Sequence, residues 1–215
     1  MYVPGQFRED RVEVLHETIR RIALGTLVTC GENGFDATPA PMLVDAAPAP
    51  FGTLRGHIAR ANPHWKSVQP EVSALAIFTG PHGYISPGWY ATKPQTGKVV
   101  PTWNYVAVHA TGRLRFFDDA EQLRAIVTRL TQTHESARAQ PWHVTDAPAD
   151  FIDAMLKAII GFELTIEKLD GKFKMSQNRP AEDRAGVVAG LAEQDPVLSA
   201  LVAERNKTWR NSANQ

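Results

Sequence analysis

The stretch Trp103 to Phe117, WNYVAVHATGRLRFF, decides the fold that the sequence predicts. Its apolar and polar side chains alternate over most of its length, which is typical of a β-strand with two different faces. Gly112 lies in the middle of the stretch and indicates a bulge or sharp bend of the kind that barrels use. We therefore expect a long, bent strand that belongs to a β-barrel.

Other strand patterns lie on both sides of this stretch. Downstream, Gly161 to Leu169 alternates apolar with polar residues, which predicts a strand that is exposed to water on one face and completes the barrel. Pro39 and Pro41 indicate that one upstream strand lies at an edge or carries a bulge. The upstream strands are predicted at Thr26 to Cys30, Ala37 to Asp45, Gly52 to Ile58 and Ser73 to Thr79, followed by a turn at Gly80 to Gly83 and a short strand at Tyr84 to Ser86.

Helical patterns lie between and around these strands. An amphipathic helix is predicted from Arg8 to Ala23 and is ended by Gly25. Further helices are predicted at His64 to Gln69 with Asn62 as N-cap, from the caps Asp118 and Asp119 to about His134, at Pro148 to Lys157, and up to about Asn206 after a polar run. Because strands and helices do not alternate strictly, the sequence predicts an α+β protein, mainly β, with an antiparallel barrel and added helices.

Composition narrows the class of protein. The 215 residues predict one domain, 1–215. Lys and Arg number 23, as do Asp and Glu, so the net charge of +0 disfavours a protein that binds DNA through its overall charge. No secretory signal and no apolar run of the ~20 residues that span a bilayer is found, which predicts a cytoplasmic location away from membranes. The single cysteine, Cys30, is expected to be buried.

Common catalytic and metal motifs are missing from the sequence. It contains no GxGxxG, P-loop or GxSxG motif and no recognisable nucleophile system, so catalytic residues stay unassigned. The pairs His134-Glu135 and Trp142-His143 raise the question of a metal, but their spacing matches neither HExxH nor a Cys/His finger. We expect no metal site.

The segment Leu54 to Lys66, LRGHIARANPHWK, is the strongest candidate for a phosphate site. It places His57, Arg60, Asn62 and Lys66 around a turn from strand to helix, where cationic side chains and free backbone N–H groups converge on an anion. The alternatives are a plain N-cap for Asn62, a solvated charge for Arg60 and a hydrogen-bonded barrel residue for His57.

Two further segments are candidates for ligand contact. YISPGWY (Tyr84 to Tyr90) and VPTWNYVAVH (Val100 to His109) concentrate aromatic residues, which suit a planar ring, a subunit interface or barrel packing. Phe173 to Gly190 is too polar to be core, and its side chains either close over a ligand or form an exposed loop.

Several long motifs occur in one order along the chain, and together they resemble the PaiB-type FMN-binding negative transcriptional regulators. The motifs are MYVP, GHIARANPHW, GPHGYISPGWY, VPTWNYVAVHATG and FKMSQNRPAEDRAGVVAGL. The resemblance implies a flavin-reductase-like FMN-binding split β-barrel, antiparallel and Greek-key, with flanking helices. It also implies a homodimer with FMN between the subunits, and a C-terminal segment, about 171–206, that packs on the barrel or on the partner subunit.

The resemblance also suggests which residues contact FMN. GHIARAN is similar to the phosphate segment of pyridoxamine-phosphate oxidases, which implies that Arg60, Asn62 and Lys66 hold the phosphate. Ala61 departs from that pattern, so the oxidase chemistry is not carried over. By analogy, the flavin ring is lined by Thr38, Pro41, His57, Ile58, Ala59, Trp103 and Asn104, and Lys174 and Gln177 reach the flavin or a substrate.

Three functions follow from these expectations. In the first, the FMN redox state or occupancy controls a partner or DNA, although the net charge does not support direct DNA binding. In the second, the protein is an oxidoreductase that uses NAD(P)H on a small molecule. In the third, haem occupies the barrel with His57 or His109 as its axial ligand.

Overall fold

The computed structural model describes residues 1–31, 34–68 and 72–212, and for 208–212 the backbone alone. Within these residues the fold is a mainly antiparallel sheet of seven strands with six α-helices, in agreement with the predicted α+β class. The strands are β1 (Arg8–Glu9), β2 (Leu24–Gly31), β3 (Gly34–Asp45), β4 (Thr53–Ala59), β5 (Val72–Ile85), β6 (Thr102–Phe117) and β7 (Ile159–Lys174).

The sheet has the strand order β1-β7-β4-β3-β2-β5-β6, and β7 also pairs with β6. This extra pairing brings the edge strand β6 back to β7 and closes the barrel. The helices are α1 (Val12–Ile22), α2 (Lys93–Thr96), α3 (Ala120–Glu135), α4 (Ala149–Lys157), α5 (Ala181–Leu191) and α6 (Pro196–Ser212). None of the helices described is long and apolar enough to cross a membrane.

The chain forms two compact units. The first unit comprises Met1–Asp10, Thr79–Ala107 and the chain from Asp170 onward, and the second comprises Arg11–Phe78 and Val108–Leu169. The core of the first unit is built by residues of β5, β6, α5 and α6 with the loops beside them, namely Ile85, Tyr90, Val106, Met175, Val187, Leu191, Leu198 and Val202. In the second unit, inward-facing strand residues such as Leu27, Leu54 and Leu164 are fully buried.

The predicted long strand is confirmed, and Gly112 has a clear packing reason. A Cβ atom at Gly112 would lie 1.9 Å from the carbonyl oxygen of Thr165 on β7. Only glycine allows the two backbones to approach so closely. The predicted strand at 161–169 is also confirmed, although β7 is longer and extends from Ile159 to Lys174.

Several local predictions are wrong. The opening helix begins at Val12, because Arg8 and Glu9 form β1 and pair with Lys172 and Gly171 of β7. It ends at Ile22, the capping residue Ala23 has a positive φ of 58°, and Gly25 already belongs to β2.

The turn predicted at 80–83 does not form, since β5 continues through it from Val72 to Ile85. Cys30 is exposed rather than buried. Pro39 and Pro41 lie on a strand that is internal in the sheet order. Both prolines pair with β2 and precede Met42, where the register with β4 begins, so they lie in a part of β3 that is paired on one side, as the edge-like prediction requires.

The predicted helices between the strands are largely confirmed. The Asp119 side chain accepts a hydrogen bond from the backbone N–H of Gln122 and caps α3, and α4 covers the predicted range. After β4, Asn62 caps a single turn of 3₁₀-helix, Pro63–Lys66, where a longer helix is predicted. Gln69, its predicted end, lies outside the described residues.

Candidate functional site

The turn that follows β4 is held by side chains that bond to one another. The Asn62 Oδ1 atom accepts a hydrogen bond from the His64 backbone N–H at 2.9 Å. Its Nδ2 atom donates to Thr38 Oγ1 on β3 at 3.1 Å. Both ends of the Asn62 side chain are therefore used to fix the turn, which favours its interpretation as an N-cap.

His64 lies at the centre of this arrangement and is buried, with only 1% of its surface exposed. Its two ring nitrogens form hydrogen bonds of 2.8 Å with Thr29 Oγ1 and Thr38 Oγ1. Burial lowers the pKa of His64, and the nearby carboxylate of Asp36 opposes that shift only in part. His64 is thus a neutral imidazole at neutral pH that ties the turn to β2 and β3. Its role is not predicted from the sequence, because the two threonines are far from it along the chain.

Two cationic side chains lie at the turn, and they differ in how many hydrogen bonds and ion pairs they already form. Arg60 donates from Nε to the carbonyl oxygen of Lys157 at 2.7 Å, and its Nη1 is 3.6 Å from Asp118. Lys66 is exposed, its ammonium lies 5.2 Å from the centre of the Trp65 ring, and it has no carboxylate partner among the described residues. Lys66 is the cation better able to bind a phosphate.

A cavity of about 330 Å³ lies between helix α3 and the strands β3 and β4. This volume is near the lower end of the ~300–1,000 Å³ that is usual for small-molecule sites. The cavity is lined by Pro41, His57, Val127, Leu130, Thr131, His134, Glu135 and Trp142. Apolar and aromatic side chains dominate this lining, which suits a flat ring.

His57 is the polar residue of β4 in this cavity. The half-buried ring has a lowered pKa because burial disfavours its charged form. Its Nδ1 atom is buried and has no hydrogen-bond partner. Buried polar atoms in folded proteins usually have a hydrogen-bond partner, so His57 Nδ1 is able to bond to a molecule in the cavity.

Helix α3 is fixed over the strands by an ion-pair network centred on Asp45 of β3. The Asp45 carboxylate accepts hydrogen bonds from Arg129 on α3 and from Arg55 on β4. These bonds, that of Arg129 first, lower the pKa of Asp45 despite its partial burial. The wall of the cavity is therefore held in place by charged as well as apolar contacts.

The structure brings some of the predicted residues together at this cavity and separates others from it. Pro41 and His57 line the cavity, whereas Ile58 points into the barrel core and is 4% exposed. Ala59 is exposed at the end of β4, and Thr38 is bonded to His64. The helix residues and Trp142 of the lining are not predicted from the sequence as flavin contacts.

The other four predicted residues belong to the first unit. Trp103 is exposed and its ring centre lies 6.1 Å from that of Tyr84. Asn104 is fully buried and bonds to Ser176 at 3.0 Å, and the Gln177 amide bonds to the backbone of Phe173 and Met175. Lys174 donates to Thr102 Oγ1 at 2.5 Å.

The residues considered for a metal have other positions. His134 and Glu135 line the cavity, and the His143 backbone N–H donates to the Asp146 side chain at 2.8 Å beside the 3₁₀ turn Val144–Asp146. Across the described parts of the chain, no group of three or more His, Cys, Asp or Glu side chains is arranged to hold a metal ion.

Comparison with known families identifies the cofactor. A family described as "Putative FMN-binding domain" matches residues 1–168. The chain belongs to this FMN-binding family. One relative, the protease synthase and sporulation protein PAI 2 of Bacillus subtilis, is 29% identical, and the match covers 95% of each chain. The resemblance to PaiB-type proteins is thereby confirmed, and the cofactor of the family is FMN.

Other relatives and solved structures agree with this result. An uncharacterised protein of Emericella nidulans, AN0679, is 35% identical, with 96% of this chain and 98% of the relative covered. The FAD- and haem-binding protein of Mycobacterium smegmatis has a TM-score of 0.57 at 14% identity, covering 85% of this chain and 80% of its own. A conserved hypothetical protein of Mycobacterium tuberculosis has a TM-score of 0.56 at 12% identity, covering 84% and 94%. These structures show the split-barrel fold.

The geometry fits FMN in this FMN-binding family. The apolar part of the cavity lining is of the kind that packs on a flavin ring, and the turn with Lys66 offers a cation for the phosphate.

Proposed function

We propose that the protein binds FMN with the isoalloxazine ring in the α3 cavity and the phosphate at the turn after β4. One observation carries this proposal. Pro41 and His57, two predicted ring contacts, line the same cavity, and His57 lies on β4, the strand that leads to Arg60 and Lys66. Lys66 supplies an unpaired charge, and Arg60 adds the N–H groups that its bond to Lys157 leaves over.

The chain's own residues have distinct tasks in this proposal. FMN, when bound, supplies one- and two-electron redox chemistry. Neutral His57 offers one hydrogen bond to the polar edge of the ring, while Leu130, Val127 and Trp142 exclude water from its faces. The His64 network keeps the turn in the shape that binds the phosphate.

At the level of the cell, we propose a PaiB-type regulator that responds to flavin occupancy or redox state. The kinship with PAI 2, whose name refers to protease synthesis and sporulation, supports this role. The net charge of +0 favours a regulator that acts through a protein partner over one that binds DNA directly. A mobility-shift experiment at physiological salt, with and without FMN, tests direct binding, and a shift in either state would contradict the indirect route.

A homodimer is part of the proposal. The resemblance to PaiB-type proteins implies one, and the first unit carries the exposed aromatic pair Tyr84 and Trp103, which are 50% and 53% exposed. Exposed aromatic residues in contact with each other are common at the centre of protein interfaces.

The second candidate function is an oxidoreductase, because the cavity is lined at its rim by the exposed residues His134 and Trp142 and so is open to small molecules. Stopped-flow bleaching of bound flavin by NADPH or NADH separates the two functions. Saturable, fast reduction supports the enzyme, whereas slow reduction without saturation supports the regulator.

The position of the phosphate is tested by comparing FMN with riboflavin, which lacks the phosphate. Loss of a charge-assisted contact costs ~1.5–3 kcal/mol, so Lys66→Gln and Arg60→Ala are each expected to weaken FMN roughly tenfold or more. Riboflavin affinity is expected to stay within about twofold, since it makes no phosphate contact. Fluorescence titration of the apoprotein measures both constants.

Lys157→Gln is the matched control, because Lys157 is an exposed lysine of the same unit whose backbone, not its side chain, contacts Arg60. Its affinity for FMN should equal that of the wild type. An equal loss of FMN and riboflavin binding in the Lys66 and Arg60 variants would move the phosphate away from this turn.

A further inference from the structure

Three cationic side chains cluster where β7 ends in the first unit. Lys172 and Lys174 lie on β7, and Arg179 lies in the turn that follows it. In the part of the chain that the structure describes, no carboxylate lies within 4.0 Å of any of the three charged groups. Three cations without an acidic partner create a site of positive potential.

Three carboxylates of the same unit are engaged elsewhere. Asp183 accepts hydrogen bonds from Thr92, Glu9 pairs with Arg205 at 2.6 Å, and Asp170 pairs with the N-terminal amine at 3.0 Å. A negative group from outside the chain is what would neutralise the cluster.

The turn that carries Arg179 is fixed by hydrogen bonds of its own side chains. Ser176 has a positive φ of 62°, a conformation that costs energy for a residue other than glycine. It is held by hydrogen bonds to the fully buried Asn104, and the Gln177 amide bonds to the backbone of Met175 and Phe173. Buried polar bonds that fix a strained turn are typical of positions where function requires a defined geometry.

The charged groups are positioned by neighbours that do not neutralise them. The Lys174 ammonium donates to Thr102 Oγ1 at 2.5 Å. The Lys172 ammonium lies 5.2 Å from the ring centre of Tyr105, and the Arg179 guanidinium lies 4.6 Å from that of Tyr90. Hydroxyl and aromatic contacts of this kind orient a cation and leave its charge in place.

Keeping the Lys174 ammonium charged costs free energy when no anion is bound beside it. Partial burial lowers the pKa of Lys174, and Lys172 and Arg179 lower it further, while Tyr105 acts in the opposite direction. A bound dianion would restore favourable interactions to all three cations at once.

We propose that Lys172, Lys174 and Arg179 form a binding site for a small dianion of the phosphate type, separate from the site of the FMN phosphate. The guanidinium of Arg179 suits the geometry of two phosphate oxygens, and the two ammonium groups balance the remaining charge. The anion is either free phosphate or the phosphate group of a substrate or effector.

The test is a titration of the FMN-saturated protein, whose proposed FMN phosphate site is already occupied, with inorganic phosphate. The titration is followed by the shift in melting temperature relative to chloride at equal ionic strength. The wild type is expected to show a saturable increase, because a ligand that binds the folded state stabilises it. Lys174→Gln and Arg179→Gln are each expected to raise the half-saturating concentration roughly tenfold, the effect of losing one charge-assisted contact. Lys93→Gln, an exposed lysine of the same unit, is the matched control and should behave as the wild type.

Two further variants separate this site from the FMN site. Lys66→Gln should retain the phosphate response, and Lys174→Gln should retain FMN affinity within about twofold. The proposal is overturned if the wild type gives no saturable response, if all variants respond alike, or if Lys174→Gln loses FMN and phosphate together. If Lys174→Gln does not fold, Lys172→Gln and Arg179→Gln provide the same comparison.

A final comparison identifies the source of the anion. With inorganic phosphate saturating, addition of a phosphate monoester such as glucose 6-phosphate should give no further stabilisation if the two share the site. Tighter binding of the monoester than of phosphate would indicate an organic ligand, and equal or weaker binding would indicate the free ion.

Discussion

His64 shows how one side chain can hold a ligand-binding turn without touching the ligand. The ring bonds to two threonines on two strands, and one of these, Thr38, also accepts from Asn62. The sequence predicts Asn62 correctly as a cap because that role depends on the residues that follow it directly. The contacts of His64 could not be predicted, because they depend on how β2 and β3 bring Thr29 and Thr38 beside the turn.

The buried histidines make stability depend on pH in a defined direction. His57 and His64 have lowered pKa values in the folded protein, so the unfolded chain binds protons more readily below its ordinary imidazole pKa of ~6.5. Their stabilising contribution is complete above that pH and is lost as the pH falls toward the lowered values. We expect the free energy of unfolding, measured with urea, to decrease from pH 7.5 to pH 5.5.

His57→Gln is expected to reduce this pH-dependent loss. His134→Gln, which removes an exposed imidazole from the rim of the same cavity, serves as the comparison. An identical pH dependence in the wild type and the His57 variant would show that burial of this ring does not control the acid sensitivity.

At the scale of elements, the alternating pattern of β6 predicts that it is a strand and that it belongs to a barrel. It does not predict which strands pair with each other, because pairing depends on tertiary structure. The GPHG sequence at 80–83 has the composition of a turn, yet β5 passes through it without a break. Tertiary packing overrides local propensity here, since Gly83 lies against Leu198 of α6, where a Cβ atom would come within 2.7 Å. The helix α3 is predicted with its cap, but its role as a wall of the cavity is not.

The close approach of β6 and β7 makes Gly112 a sensitive position. Gly112→Ala would place a methyl group 1.9 Å from the Thr165 carbonyl oxygen, so the strands must separate. We expect a loss of ~2–4 kcal/mol in the free energy of unfolding, within the range of severe core substitutions.

Gly5→Ala is the control for this prediction, because no atom lies within 4 Å of a Cβ at that position. Chemical denaturation of both variants gives the comparison. Equal stability of the Gly112 variant and the wild type would mean that the sheet adjusts at this crossing without cost.

At the scale of the whole molecule, the resemblance of ordered motifs predicts the family, the cofactor and the split-barrel fold, and all three are confirmed. Individual flavin-contacting residues are harder to predict, because motif similarity does not show which polar atoms already form hydrogen bonds within the protein. Gln177 and Asn62 are polar and belong to the motifs, yet both side chains are bonded within the protein. Their predicted contact with flavin stays a prediction.

The proposed homodimer predicts a sedimentation mass of two copies of 23.7 kDa. Trp103→Glu is expected to shift the protein toward the monomer, because it places a charge on an exposed aromatic surface of the first unit. Phe151→Glu is the matched control, since Phe151 on α4 is equally exposed at 53%. A monomeric wild type, or dissociation by the Phe151 change alone, would contradict the proposal.

The two compact units are interleaved along the polypeptide, and this interleaving limits where the chain can be truncated. The first unit takes residues from the start, the middle and the end of the chain, and α5 and α6 bury Ile85 and Val106 in its core. A stop codon after residue 168, where the family match ends, would remove both helices and the last six residues of β7 and leave that apolar surface uncovered. Fragments for expression should therefore retain the chain through α6.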